Sequence, residues 1–345
     1  MRIGFDTSAL VRAHPPGIVR LVSNAMAALE RLPGLTALRM QPEASENLRV
    51  WRQVKLPLLV RERGLVGLHS FVSAFALLGP GVRVQTIHEL PWLHGAAENS
   101  GLGHRFWARL ASRRADRILC GSEFVAREVG VGPLAKRVSV CSWGVDAEHF
   151  GHVPSVEVQA RARELLHIAD ASGAVFAIGA VRAKKNLAAL LRGMGERKRR
   201  GMPAVAIAVS GAIGPDALRD QALAKSLGLE HEVRWLGQVD EALLVALIHE
   251  SSAIALLSHS EGFGLPVLEA FAAGRSVIVP RHSAPSEVAA GLGIEVNPDD
   301  ATSVAEGIEQ SLHDTPRDPL RRAHAATRSW SVCAERIAEV WREFA

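Results

Sequence analysis

At 345 residues the chain has the length of two ordinary domains, which run to roughly 100–200 residues each. Its 48% hydrophobic and 22% charged residues exclude a disordered chain, and no apolar run approaches the ~20 residues that cross a bilayer. Residues 1–150 hold 19 Lys and Arg against 12 Asp and Glu, a balance of +7, whereas residues 151–345 hold 21 against 24, a balance of −3; the basic first half expects an anionic partner or surface.

The first residues, Met1-Arg2-Ile3-Gly4-Phe5-Asp6, lack the apolar core of a leader peptide and read as a buried strand at 2–5. Strand-like runs follow at 82–87, 117–120 and 138–141, and in the second half at 174–178, 204–209, 233–236, 253–257 and 276–279. Amphipathic stretches at 19–31, 187–200, 241–250 and 266–273 lie between them. Alternation of this kind predicts parallel sheets covered by helices, and the count suits two sheets. Trp143-Gly144-Val145-Asp146 reads as a turn closing the first unit, and 156–167 as a helix leading into a fresh strand. The expected domains are 1–151 and 152–330, with a last helix at 331–345 packing back on the first. Cys120, Cys141 and Cys333 are too few and too scattered for a disulfide framework or a zinc site, so a reducing cytoplasm is the expected setting.

The sharpest signal is His259-Ser260-Glu261-Gly262-Phe263-Gly264-Leu265-Pro266-Val267-Leu268-Glu269. A buried strand runs into a glycine-bearing loop, and Pro266 suits the first position of a helix. Parallel sheets bind ligands at this place, where free N–H groups and the helix dipole attract phosphate. Glu269 would fall in the first helical turn, within reach of ribose hydroxyls, and Glu261 in the loop, facing sugar hydroxyls. Lys184 and Lys185 follow the strand at 174–178, placed to stabilise charge on a departing diphosphate or merely to border a solvated loop. His88 ends a strand and either holds a donor hydroxyl, helps order an acceptor, or is a hydrogen-bonded core histidine. Gly17, just before a helix, fits close approach of phosphate or a simple turn.

The stretch from Glu261 to Glu269 resembles the paired-glutamate motif of retaining glycosyltransferase family 4. Gly179-Ala180-Val181-Arg182-Ala183-Lys184-Lys185-Asn186-Leu187 is similar to its glycine–lysine–asparagine segment, and Thr86-Ile87-His88-Glu89-Leu90 to its T-I-H-D-L. Ser122-Glu123-Phe124, Gly144-Val145-Asp146, Pro285-Ser286-Glu287-Val288 and Pro16-Gly17-Ile18 with Arg20 match in order, so the likeness covers nearly the whole chain. Departures are Ala180 for a common Arg, Glu89 for Asp, Val19 for a frequent Gly and Ser142-Trp143 for Pro-Asn.

The resemblance implies an α/β fold of two Rossmann-like domains with parallel sheets facing a cleft (GT-B), acceptor on the first and donor on the second. It implies a retaining, metal-independent transfer from a nucleoside-diphosphate sugar to an acceptor hydroxyl, in polysaccharide or glycolipid assembly. His88, Lys185 and Glu261 would be catalytic; Gly17, Arg182, Lys184, Lys185, Phe263, Gly264, Leu265 and Glu269 would bind the donor, with Arg182 or Lys184 as second cation. The donor is a substrate, and no cofactor is expected. No Asp-x-Asp, metal-ligand spacing, G-x-S-x-G, Walker loop or dinucleotide fingerprint occurs, and no nucleic-acid partner is expected. An epimerase or hydrolase of the same fold, or an inactive nucleotide-sugar-binding subunit, are the rivals. Arg105, Arg109 and Arg113 repeat at helical spacing beside Phe106, Trp107 and Leu110. That helix suits an anionic membrane surface near a lipid-linked acceptor, or is a plain solvated helix. The acceptor is thus a carbohydrate or lipid-linked hydroxyl, and peripheral attachment at the inner face of a membrane is the expected extension of a cytoplasmic location.

Overall fold

The computed structural model describes the chain apart from residues 13, 73, 95–100, 168–170, 180, 213–214, 315–317 and 345, and apart from the side chains of residues 102–104, 107 and 215. The chain divides into two compact units, Met1–Gly144 with Arg328–Ala345, and Val145–Thr327.

The first unit holds β1 (Arg2–Asp6), β2 (Thr36–Met40), β3 (Gly67–Ser70), β4 (Val82–Ile87), β5 (Arg117–Cys120) and β6 (Val138–Val140) in one sheet, order β2-β1-β3-β4-β5-β6. Every pairing is parallel. Its helices are α1 (Pro16–Leu29), α2 (Leu48–Val50), α3 (Leu56–Glu62), α4 (Leu102–Arg114) and α5 (Glu123–Val129), with a π-type turn, Trp51–Lys55, joining α2 to α3. The strand order turns back after β2, so right-handed crossovers put α1 on one sheet face and α2 to α5 on the other. Ile118, Ala111 and Val125 belong to one buried cluster, and Leu68, Trp51 and Leu56 to another.

The second unit has helices α6 (Ala147–Gly151), α7 (Val156–Leu166), α8 (Leu187–Arg199), α9 (Pro215–Ser226), α10 (Glu241–Glu250), α11 (Leu265–Ala272), α12 (Ala284–Ala289), α13 (Ala301–Leu312) and α14 (Pro319–Ala326). Its strands are β7 (Ala174–Ile178), β8 (Ala206–Ser210), β9 (Val233–Gly237), β10 (Ala253–Ala255), β11 (Ser276–Pro280) and β12 (Ile294–Val296). They form a second parallel sheet, order β12-β11-β10-β7-β8-β9. Val175, Ile207, Leu190, Leu191, Ile278 and Val304 fill its core, as expected where helices cover a β-branched, two-sided sheet.

The division falls at Gly144 rather than near Gly151, because α6 packs on α11 and α14 and so joins the second unit. Helix α15 (Trp330–Arg342) returns to the first unit and packs on α1. A Cβ on Gly144 would lie 2.5 Å from the Trp330 nitrogen, so only glycine allows this approach. The same return sets the Cys333 and Cys141 sulfurs 3.8 Å apart as buried free thiols, a pairing that a separation of 192 positions conceals in the sequence. The hydrogen bond with Cys141, together with burial, pushes the Cys333 thiol pKa up.

Candidate active site

Strand order in the second sheet reverses between β7 and β10: the chain leaves β7 toward β8 and β9, then returns to place β10 on the other side. Loops leaving the carboxyl ends of such a strand pair diverge and open a crevice. The loop after β7 carries Arg182, Lys184 and Lys185; the loop after β10 carries Glu261.

The first loop is fixed along its length. Gly179 turns it with φ 121°, and a Cβ there would lie 3.2 Å from Lys185 Cε. The N–H groups of Gly179 and Val181 donate to the carbonyls of Ser210 and Ala212 at 3.0 and 3.1 Å. The Ala183 N–H donates to Asp216 Oδ2 at 2.9 Å. A single 3-10 turn, Ala183–Lys185, ends on Asn186 in the left-handed region at φ 50°, and α8 begins there. The Lys184 carbonyl accepts from the His259 N–H at 2.9 Å and ties this loop to the second one.

Across that tie Lys185 Nζ donates to Glu261 Oε2 at 2.9 Å. Burial alone would raise the Glu261 pKa. The charges of Lys185 and Lys184, with hydrogen bonding from Lys185 and Ser258, outweigh it and hold the carboxyl below its ordinary range. Behind the lysine lies a pocket bordered by Ile178, Gly179, Asn186, Leu257 and Ser258.

The second loop ends at Gly264, whose φ of 94° suits glycine and whose missing side chain admits Pro285: a Cβ would sit 3.1 Å from the proline ring. Helix α11 starts at Leu265, with Pro266 second and Phe263 buried before it. The first N–H groups of such a helix have no intrahelical acceptor and point out of its end. Because the helix starts one residue early, Glu269 lies beyond the first turn, correcting its expected place; it is 4% exposed. Lys184, Lys185 and Glu261 are half-buried, and Arg182 is exposed. Asp216, which no motif marks, joins the site through Ala183; its one signal in the sequence is an acid in the first turn of a helix. Ala180, where the family resemblance has arginine, lies outside the described residues.

Gly17 and His88 belong to the first unit. Gly17 is the second residue of α1 rather than a residue before it, because Pro16 opens the helix. Nothing lies within 4 Å of a Cβ built there, so the packing of this structure does not demand glycine. His88 follows β4 and gives its Nε2 proton to the Phe71 carbonyl at 2.6 Å. Its half-buried ring stands 5.9 Å from Trp143, tilted by 49°. On α4, Phe106, Arg109 and Arg113 are exposed and Arg105 is half-buried, while the Trp107 side chain lies outside the described residues. Among the described residues no group of three His, Cys, Asp or Glu is placed to hold a metal, and no helix is long and apolar enough to cross a membrane.

Residues 159–330 match the family model described as Glycosyl transferases group 1. The D-inositol 3-phosphate glycosyltransferase of Corynebacterium diphtheriae is 34% identical over 129 residues, which is 36% of this chain and 30% of that protein. Its namesake from Corynebacterium jeikeium is 27% identical over 294 residues, 76% of this chain and 69% of that protein. Among solved structures, Anabaena Alr3699/HepE in complex with UDP and glucose superposes with a TM-score of 0.75 at 16% identity, covering 99% of this chain and all of that one.

Proposed function

The chain belongs to the group 1 glycosyltransferases and has their two-sheet GT-B fold, and from that premise we propose that it transfers a sugar, with retention and without a metal, from a nucleoside diphosphate to an acceptor hydroxyl. The observation that carries this reading is the Lys185–Glu261 pair beside the start of α11, at the point where the strand order reverses.

Each residue has a part that its chemistry suits. The bond from the anomeric carbon to the β-phosphate oxygen breaks while a bond to the acceptor oxygen forms on the same face. The departing phosphate oxygen takes the acceptor proton, so the enzyme need supply no base. Lys185, with Lys184 or Arg182, stabilises the charge that grows on the diphosphate. An ammonium has three N–H donors, enough to hold Glu261 and a phosphate oxygen together. N–H groups of Phe263, Gly264 and Leu265 meet phosphate at the helix end, Glu269 accepts from ribose hydroxyls, and Glu261 orients the sugar. His88, its ring fixed by the Phe71 carbonyl, meets a hydroxyl of donor or acceptor, and Gly17 leaves open space beside the start of α1.

The structure of Alr3699/HepE contains UDP and glucose, so UDP-glucose is the first donor to test, within a thermal-shift panel of UDP-, GDP-, dTDP- and ADP-sugars. Transfer of radiolabelled sugar to an acceptor, unchanged in EDTA and giving the donor's anomeric configuration, is the expected result. Loss on chelation restored by magnesium, or an inverted product, would contradict it. Release of sugar or its epimer without an acceptor would favour a hydrolase or epimerase. We place the acceptor in polysaccharide or glycolipid assembly, with the basic first unit held peripherally at an anionic membrane through α4.

A further inference from the structure

The chain passes between the two units twice, at Gly144–Val145 and at Thr327–Arg328. On the first unit's side the two segments are tied to each other. Arg328 Nη1 donates to Ser142 Oγ at 2.7 Å, and Gly144 lies so close to Trp330 that no side chain fits between them. Cys141 and Cys333 complete the contact: the Cys141 thiol donates to the Cys333 carbonyl at 3.5 Å, and the two sulfurs stand 3.8 Å apart. Cys141 continues β6, its N–H donating to the Cys120 carbonyl at 2.8 Å. Ser329 caps α15 by accepting from the Val332 N–H at 3.3 Å and so fixes the turn that carries Cys333.

One buried thiol alone is a small apolar filler. Two thiols in sulfur contact, from segments that meet only through the fold, can do more. A disulfide is about 2.05 Å long, so the sulfurs have about 1.8 Å to close, within reach of rotation about the two Cα–Cβ bonds. Cys120 stands apart: it joins the cluster of Ile118 and Val125, and burial pushes its thiol up to about 12. Ser331 and Val332, just before Cys333, are exposed, so the pair lies under the first turn of α15, close to the surface.

We propose that Cys141 and Cys333 form a reversible disulfide when the protein meets hydrogen peroxide, fastening the two segments that join the units. One thiolate sulfur attacks a peroxide oxygen and the O–O bond breaks, leaving a sulfenic acid; the departing hydroxide takes the thiol proton and becomes water. The second sulfur attacks the sulfenic sulfur, the S–O bond breaks, and the S–S bond forms with loss of a second water. Two thiols are oxidised and one peroxide is reduced to two waters. The bond closes a ring that contains all of Val145–Thr327, so α15 stays attached to the end of β6 even where its contacts with α1 open. In a reducing compartment such a bond is a transient state rather than a framework.

Peroxide treatment of the full chain, followed by alkylation of the remaining thiols and peptide mass spectrometry, tests it. The Cys141 and Cys333 peptides should appear joined, with Cys120 alkylated. The melting temperature should rise by about 5 °C, because a long ring constrains the unfolded chain, and dithiothreitol should reverse both changes. The rate should rise with pH, since thiolate attacks and the Cys333 thiol is held above its ordinary range. C141S and C333S should each lose the cross-link and the thermal shift, whereas C120S should keep both. If the serine variants fail to fold, C141A and C333A, which keep an apolar group in place, repeat the test. Free Cys141 and Cys333 after treatment, a bond to Cys120 or between two chains, or a cross-link that leaves the melting temperature unmoved overturns the proposal. None of these readouts involves sugar transfer, so the transferase reading stands or falls separately.

Discussion

Each sheet reverses its strand order once, between β7 and β10 in the second unit and between β1 and β3 in the first, and the two places use their polar residues differently. Beside β7 and β10, a lysine and a glutamate from separate loops meet, and the lysine borders a pocket. Beside β1 and β3, most of the described polar groups are taken up by one another, His69 Nδ1 excepted. Asp6 accepts from the Ser8 N–H at 3.0 Å and from Arg52, whose other nitrogen donates to Ser8 Oγ at 2.8 Å. His69 meets Thr86 Oγ1 at 2.9 Å between the rings of Phe5 and Phe71, and His88 is tied to the Phe71 carbonyl. The same topology thus offers a charged site in one unit and a largely self-satisfied edge in the other. On the function proposed above, charge carried by two facing loops suits a donor, whereas charge locked within the core beside the first sheet suits a rigid support.

If that contrast is right, the largest loss comes from Lys185→Ala. It removes charge from the leaving group and strands Glu261 in a half-buried place. Turnover with saturating donor should fall about 100- to 1,000-fold, the effect of losing one preorganised donor at a developing anion. Single-turnover rates check it, and a normal rate would pass the role to Lys184 or Arg182. Glu269→Ala should act on binding instead, weakening nucleoside diphosphate by roughly 1.5–3 kcal/mol if its carboxylate holds ribose. Calorimetry that finds unchanged affinity would remove Glu269 from the site.

The first unit should answer to pH rather than to ligand. Burial, with a smaller effect of nearby His88, lowers the His69 pKa from 6.5 to about 3. The folded chain therefore keeps this ring neutral while the unfolded chain binds a proton below 6.5. Stability present above that value is lost as pH falls through the window from 6.5 to about 3. Between pH 7 and pH 5 the loss amounts to about 2 kcal/mol. His69→Gln keeps a polar partner for Thr86 and removes the titration, so its urea midpoint should lose that share of its pH dependence. An unaltered profile would mean that the first edge is less closed than its contacts indicate.

The sequence makes much of the second unit legible because β7 and β10 are apolar runs that end at glycine- or serine-bearing loops, and because Gly264-Leu265-Pro266 marks a helix start in plain residues. The first unit hides more. β2 is an edge strand, Thr-Ala-Leu-Arg-Met, with little burial to impose a pattern, and β3 is Gly-Leu-His-Ser, a buried strand without β-branched residues. Lys185 and Glu261 stand 76 positions apart, so their pairing comes from the sheet order rather than from either motif alone. Glu269 was displaced from the first turn by a helix boundary one residue off, the scale at which sequence patterns lose resolution. The role of Asp216 is hidden behind an ordinary helix-start acid, because what it holds is a backbone N–H brought to it by tertiary folding.

Asp216 also gives the finest test of the contrast. Its Oδ2 accepts from the Ala183 N–H in the middle of the cation-bearing loop. Asp216→Ala leaves that N–H without its acceptor and loosens the path from Arg182 to Lys185. The expected cost is roughly 1 kcal/mol, about fivefold in donor KM, with kcat changed less because the lysine itself remains. Asn at this position can still accept through its amide oxygen, while taking a negative charge away from the loop proposed to receive the diphosphate. Asp216→Asn should therefore bind donor at least as well as the unaltered enzyme, whereas Asp216→Ala should bind it worse. A structural defect alone would lower melting temperature and kcat together and would not separate the two variants. Equal KM values for Ala and Asn would show that the hydrogen bond does not position the loop, and that its backbone ties to Ser210, Ala212 and His259 suffice.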